Sequence, residues 1–125
     1  MCKFCDLILN KQYDYESKYC VAFKDCYPVS KGHTLIITKR HVDNLFLMTE
    51  KEQLDMLKLM NIIKCDLDYE NNPDGYNVGF NCGESSGQTV MHVHMHLIPR
   101  YKGDTLNPRG GVRGVIPDKQ NYKSK

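Results

Sequence analysis

The period of apolar positions changes several times along the chain. Residues 19–24, Tyr-Cys-Val-Ala-Phe-Lys, are mostly apolar and predict a first strand. Asp25 to Gly32 follows as a turn, punctuated by Pro28 and Gly32. His33 to Thr38, HTLIIT, is almost continuously apolar, as a central strand should be. Thr49-Glu50-Lys51-Glu52 then has the spacing of a capping box, where hydroxyl and carboxyl each satisfy the other residue's backbone N–H. Beyond it Leu54, Leu57, Met60, Ile63 and Leu67 recur at spacings of three and four, and Met56, Leu59 and Ile62 widen the stripe. That pattern predicts a long amphipathic helix over 49–70. Asn71-Asn-Pro-Asp-Gly75 stops it. Tyr76 to Phe80 reads as a third strand and Asn81 to Gln88 as a loop.

The segment GQTVMHVHMHLIPRY, residues 87–101, returns to strict alternation. A strand sends successive side chains to opposite faces, so His92, His94 and His96 share one face and Val93, Met95 and Leu97 the other. Thr89, Val90 and Ile98 favour extending this strand, and Pro99 is expected to end its regular pairing. Imidazoles two residues apart on a strand would stand at about 7 Å spacing. After Arg100 the chain is rich in glycine and proline, a tail expected to wrap the surface. Strands, one long helix and more strands make an α+β arrangement. At 125 residues, a single domain over 1–125 is expected, with its core in 1–100 and a tail over 101–125.

Composition narrows the functional classes. With 17 basic and 15 acidic side chains, the net charge of +2 is too small to imply nucleic acid or a membrane as partner. No apolar run approaches the roughly 20 residues of a membrane-spanning helix, and Met1-Cys2-Lys3-Phe4 has no signal-peptide pattern, so a cytoplasmic protein is expected. In that setting the 6 cysteines read as reduced thiols. Four of them resemble ordinary small apolar residues, whereas Cys2-x-x-Cys5 has the spacing of half a structural zinc site.

Three histidines on one face are hard to explain by packing, because every buried imidazole needs a hydrogen-bond partner. Two chemistries compete. Three neutral nitrogens can hold a catalytic zinc with an open fourth position. Alternatively, one imidazole is a nucleophile that its neighbours orient. The loop Asn81-Cys-Gly-Glu-Ser-Ser-Gly-Gln88 offers backbone N–H groups, hydroxyls and an amide beside the histidines, which suits a phosphate. Asp25 by itself reads as a turn-capping aspartate.

His92-Val-His-Met-His-Leu-Ile98 resembles the signature of the histidine triad family. The likeness extends to DCYPVSKGHTLIITKRH as a nucleotide-pocket hairpin and NCGESSGQTV as a phosphate loop. RYKGDTLNPRGGVRGVIP resembles the tail of bacterial members often described as diadenosine polyphosphate hydrolases. The resemblance implies a homodimer built on an antiparallel sheet of about five strands per subunit. It implies a purine nucleotide ligand resembling AMP, and cleavage at the α-phosphorus of a nucleoside phosphoramidate or dinucleoside polyphosphate, with no catalytic metal required. Carried over residue by residue, His94 matches the nucleophile, with His92 and His96 flanking it. His33 supports the triad from the neighbouring strand, and Asp25 accepts the ribose hydroxyls. Asn81 and Thr89 lie near the α-phosphate and leaving group, in a loop that also brings Ser85, Gly87 and Gln88. Cys2, Cys5, His41 and His92 match a structural zinc site. Two other readings stay open: a nucleotide-binding interaction module with little turnover, and a zinc hydrolase whose metal sits on His92, His94 and His96.

Overall fold

A computed structural model describes residues 2–122. The elements are α1 (Lys3–Leu9), β1 (Tyr15–Glu16), β2 (Cys20–Lys24), β3 (Thr34–Thr38), α2 (Glu50–Asn71), β4 (Gly75–Phe80) and β5 (His94–Arg100). The five strands make one antiparallel sheet in the order β1-β2-β3-β5-β4. This is the α+β architecture expected, with α1 and β1 added. The signal for α1 is the spacing of Phe4, Leu7 and Ile8, in a segment too short to hold a helix without tertiary contacts.

Helix α2 covers one face of the sheet. Its N-terminus is the predicted capping box: Thr49 Oγ1 accepts from the Glu52 N–H at 3.1 Å, and Glu52 Oε1 accepts from the Thr49 N–H at 2.9 Å. Glu52 is 3% exposed, and Arg40 donates to both its oxygens at 2.7 and 3.1 Å. That pairing holds the carboxyl below the usual range and ties the exit of β3 to the start of the helix. The buried line runs Glu52, Met56, Leu59, Ile63, Leu67. It packs on Cys20, Ala22 and Ile36 and on Val93, Met95 and Leu97, the non-histidine side of the last strand and its approach. The apolar stripe is therefore rotated from the predicted one: Leu54, Leu57 and Ile62 are 52%, 46% and 57% exposed. A helix meets a sheet along a narrow line, so the widest apolar stripe in a sequence does not identify which part of it is covered.

The other face carries the histidines. Phe4 of α1 packs there with Val21, Phe23, Leu35 and Ile37. The ladder places Ile37 opposite His94 and Leu35 opposite His96, with Gly79 of β4 on the far side of His96. Two boundaries differ from expectation. The strand begins at His94, because residues 90–92 form bends held by the Gln88 amide, which donates to the carbonyls of Asp43 and Val90. Pro99 does not end the pairing; it lies opposite Tyr76, and the ladder continues to Arg100. The β3 partner has already stopped at Leu97, so a residue without an N–H is tolerated where one neighbour is missing.

Residues 101–122 fold as turns and two short 3-10 segments, Gly111–Val115 and Pro117–Lys119. They lie over the histidine face of β4 and β5 and wall a cavity of about 470 Å³ there. Positions 123–125 of the expected tail lie outside the described residues. No described helix is long and apolar enough to cross a membrane.

Candidate functional site

The histidine face holds two clusters that meet at His94. The first surrounds His92, which is fully buried. Its Nε2–H donates to the Thr38 carbonyl at 2.7 Å, which leaves the lone pair on Nδ1. That nitrogen lies 3.6 Å from Cys2 Sγ, 3.6 Å from Cys5 Sγ and 3.2 Å from His41 Nδ1, and Cys5 Sγ lies 3.3 Å from His41 Nδ1. Zinc bonds of about 2.3 Å to sulfur and 2.05 Å to nitrogen, at tetrahedral angles, separate two nitrogens by about 3.3 Å and a nitrogen from a sulfur by about 3.5 Å. The four atoms therefore already stand at the separations of a Cys2His2 zinc site, as a group within 4.8 Å of one another. Burial and the neighbouring Cys2 push the Cys5 thiol up from its ordinary range, and a dication bound here would reverse that and favour the thiolates. The four ligands named from the sequence are thus brought together. Cys2 stands at the N-cap position of α1, its carbonyl accepting from the Asp6 N–H at 3.0 Å.

The second cluster is Asp25, His33 and His96. The Val29 N–H donates to His33 Nδ1 at 3.0 Å, so the neutral ring carries its proton on Nε2. That N–H points to His96 Nδ1 at 3.0 Å and to Asp25 Oδ2 at 3.5 Å. His96 Nδ1 is thereby an acceptor, and its own proton sits on Nε2, on the ring that lines the cavity. A metal at this cluster would need the lone pair that Val29 has already assigned away from His33 Nε2, so the group is a hydrogen-bonded chain. Asp25 also caps its turn, Oδ1 accepting from the Tyr27 N–H at 2.9 Å.

Between the clusters lies His94, 9% exposed. Its Nδ1–H donates to the His92 carbonyl at 2.9 Å, which leaves the Nε2 lone pair unprotonated. The His94 and His96 ring centroids are 5.2 Å apart, closer than evenly standing strand side chains, because the rings lean toward each other. One offers a lone pair and the next an N–H. Among the described residues, no group of metal-ligating atoms contains all three triad histidines, because His92 is turned to the thiols and His96 to His33.

The loop before the triad departs from the expectation of an open nest. The N–H groups of Gly83, Ser86, Gly87 and Gln88 are all spent inside it. Gln88 is 3% exposed, and its side chain bonds Gly83, Asp43 and Val90. These bonds shape the loop. Gly83 and Gly87 both have φ of 94°, a conformation that suits glycine. Ser85, Gly87 and Thr89 are exposed. Asn81 lines the cavity with His33 and His96. The cysteines outside the first cluster are less uniform than expected: only Cys20 is core, while Cys26 and Cys65 are exposed.

Of the tail cations, Arg100 lines the cavity, but its guanidinium is held by Asp104 at 2.8 and 2.9 Å and by Asn77 at 2.6 Å. Arg109 and Arg113 stack on the Tyr122 ring at 5.1 and 5.0 Å.

Burial lowers the pKa of His33, and it lowers that of His96 to about 4, with His94 and His33 adding to the latter. Both rings therefore fold neutral, whereas the unfolded chain takes up these protons near pH 6.5. The contribution of His96 to stability is complete above pH 6.5 and is lost as the pH falls toward 4, and that of His33 is lost in the same direction. In a Cys2→Ser/Cys5→Ser background, which removes the zinc ligands, urea unfolding should show a loss on the order of 2 kcal/mol between pH 7 and 4.5. His96→Asn should flatten that slope, and an unchanged slope would refute the assignment.

The sequence and the fold are similar to those of known proteins. Residues 9–103 match the HIT domain family. The chain is 39% identical over 107 residues to Protein hit of Bacillus subtilis, covering 82% of this chain and 74% of that one. It is 36% identical over 100 residues to a bis(5'-adenosyl)-triphosphatase of Saccharomyces cerevisiae, covering 79% of this chain and 48% of the yeast protein. Among solved structures, a HIT family protein from Bacillus anthracis superposes with a TM-score of 0.77 at 39% identity, covering 82% and 75% of the two chains. A zinc-bound histidine triad family protein from Mycobacterium smegmatis does so with a TM-score of 0.77 at 30% identity, covering 85% and 79%. The fold is that of a histidine triad protein. The chain belongs to the HIT family.

Proposed function

We propose that this chain is a nucleotide hydrolase or transferase that cleaves at the α-phosphorus of a nucleoside phosphoramidate or dinucleoside polyphosphate. The observation that carries the reading is the fixed tautomer of His94, whose Nε2 lone pair sits beside the N–H that His33 imposes on His96. A neutral nitrogen approaches an anionic phosphate without charge repulsion. Attack forms the His94 Nε2–phosphorus bond as the bond to the leaving group breaks; a phosphate leaves as an anion, and an amine leaves carrying a proton taken from water. The proton on Nδ1 stays on the His92 carbonyl side, and the new cationic linkage is hydrolysed by water to a nucleoside monophosphate and free His94. Two displacements replace one difficult step. The His96 N–H and the Ser85 and Thr89 hydroxyls serve the phosphoryl oxygens, Asn81 the leaving-group side, and Asp25 the ribose hydroxyls. The ligand resembles AMP in this reading, with neither nucleic acid nor membrane as partner, in the cytoplasm. The name of the yeast relative supports the dinucleoside class.

The zinc hydrolase reading is disfavoured by the divergence of His92 and His96 into separate clusters. Zinc would be held instead by Cys2, Cys5, His41 and His92, where a closed set of four supplies structural energy.

The test is a parallel assay of adenosine phosphoramidate, diadenosine triphosphate and diadenosine tetraphosphate, with trapping of a nucleotidylated protein. Binding without turnover of any of them would favour the interaction-module reading. Turnover lost on chelation while the fold survives would favour the zinc hydrolase.

The edge strand β4 lies at one end of the sheet with Val78 42% exposed, and α2 presents Leu54, Leu57 and Ile62 to solvent. An open edge beside an apolar helix face is an association surface. Two copies of the chain are proposed to pair there as a two-fold dimer of a single-domain subunit. Light scattering should return twice the mass of one chain, and an active, strictly monomeric protein would refute the pairing.

A further inference from the structure

Phe4 takes no part in the chemistry above, yet it is 5% exposed and its ring meets three other rings, with the Lys3 ammonium 5.7 Å from its centroid. Its centroid lies 5.2 Å from that of His94 at an interplanar angle of 75°, 5.9 Å from His92 at 83°, and 5.6 Å from Phe23 at 61°. These are edge-to-face contacts, which aromatic quadrupoles favour. His94 has one hydrogen bond of its own, from Nδ1 to the His92 carbonyl. A single bond at one ring nitrogen fixes the tautomer and leaves the tilt of the ring to its packing. That packing comes from His96 on one side and Phe4 on another. Phe4 in turn lies between Cys2 and Cys5 in α1, so the two thiols that converge on His92 also fix the backbone that carries the ring.

We propose that Phe4 is a positioning residue for His94, the link through which the Cys2, Cys5, His41 and His92 cluster sets the tilt of the nucleophile's ring. Its catalytic consequence rests on the function proposed above; its effect on the His94 ring does not. Misplacement of a reacting atom by a fraction of an ångström costs rate more than binding. A ring that only walled a nucleotide pocket would act on binding instead.

The experiment uses full-length, zinc-loaded Phe4→Leu, with Phe4→Met as a second variant should the first not accumulate. Expected results are an unchanged zinc content, displaced and broadened His94 ring signals in nitrogen-15 spectra of the imidazoles with the Nδ1–H tautomer kept, and a kcat lower by about tenfold with KM within about twofold. In combination with Cys2→Ser/Cys5→Ser, kcat should fall no further than in the thiol variant alone, since both changes cut the same link. A raised KM with kcat and the His94 signal unchanged, or strictly additive losses in the combined variant, would overturn the proposal. Should the unaltered protein turn over no nucleotide at all, the proposed function falls, and the spectra alone still decide the role of Phe4.

Discussion

His94→Asn should lower turnover by about a thousandfold or more while leaving nucleotide affinity within about tenfold. The asparagine amide nitrogen lies near the place of Nδ1 and can keep a hydrogen bond to the His92 carbonyl, so the backbone bend before β5 stays supported. What it lacks is a second ring nitrogen with a lone pair. The groups assigned to binding, Asp25, Asn81 and the Ser85 and Thr89 hydroxyls, are untouched. Loss of rate with binding retained is the signature of a group needed only in the transition state and the covalent intermediate. The measurement is steady-state turnover beside equilibrium binding of a nucleoside monophosphate. Near-normal turnover would remove His94 as nucleophile. A collapse of binding equal to the collapse of rate would mean that the substitution had disrupted the site as a whole.

How much of this was legible in the sequence depends on the range of the interaction concerned. The α2 cap, the central strand β3 and the alternation at His94, His96 and Ile98 are written in contacts of two to four residues, and the structure reproduces them within a residue or so. The covered side of α2 was not legible. Leu54, Leu57 and Ile62 are as apolar as Leu59 and Ile63, and only the position of the sheet decides between them. Helix α1 was missed because its stability comes from Phe4 packing on residues of β2 and β3, not from its own length.

At the site, the residue types were legible and their proton positions were not. The bond from the Val29 N–H to His33 spans four residues, but its consequence for His96 crosses from β3 to β5. The partner of His94 Nδ1 is a main-chain carbonyl, which no pattern of side chains announces. The hydrogen bonds of Gln88 were not legible for a related reason. Its amide looks like a ligand contact beside the serines, yet it is buried to close the loop, where a buried amide must spend its hydrogen bonds.

The Cys2→Ser/Cys5→Ser variant should lose zinc and about 10 °C or more of melting temperature. Purified unaltered protein should hold about one zinc per chain without supplementation. The argument is geometric first: His92 Nδ1 faces the thiols because its Nε2–H is committed to the Thr38 carbonyl, and the sulfur and nitrogen atoms stand 3.2 to 3.6 Å apart, close to the edges of a zinc tetrahedron. The energetic step follows. Ligands drawn from α1, from the segment after β3 and from the approach to β5 are far apart in the unfolded chain, so metal-binding energy adds to folding energy. For a chain of this size about 3 kcal/mol corresponds to roughly 10 °C. Serine hydroxyls keep the local volume and polarity but are poor zinc ligands, so the loss reads the metal and not a cavity. Activity should fall only in part, since His94 and the His33–His96 chain remain. Metal analysis, calorimetry and turnover on the same preparations decide the matter. A metal-free unaltered protein of full stability would reduce Cys2 and Cys5 to a packed thiol pair. Zinc kept by the serine variant and lost on changing His92, His94 and His96 together would move the metal to the catalytic histidines and reverse the assignment of the two clusters.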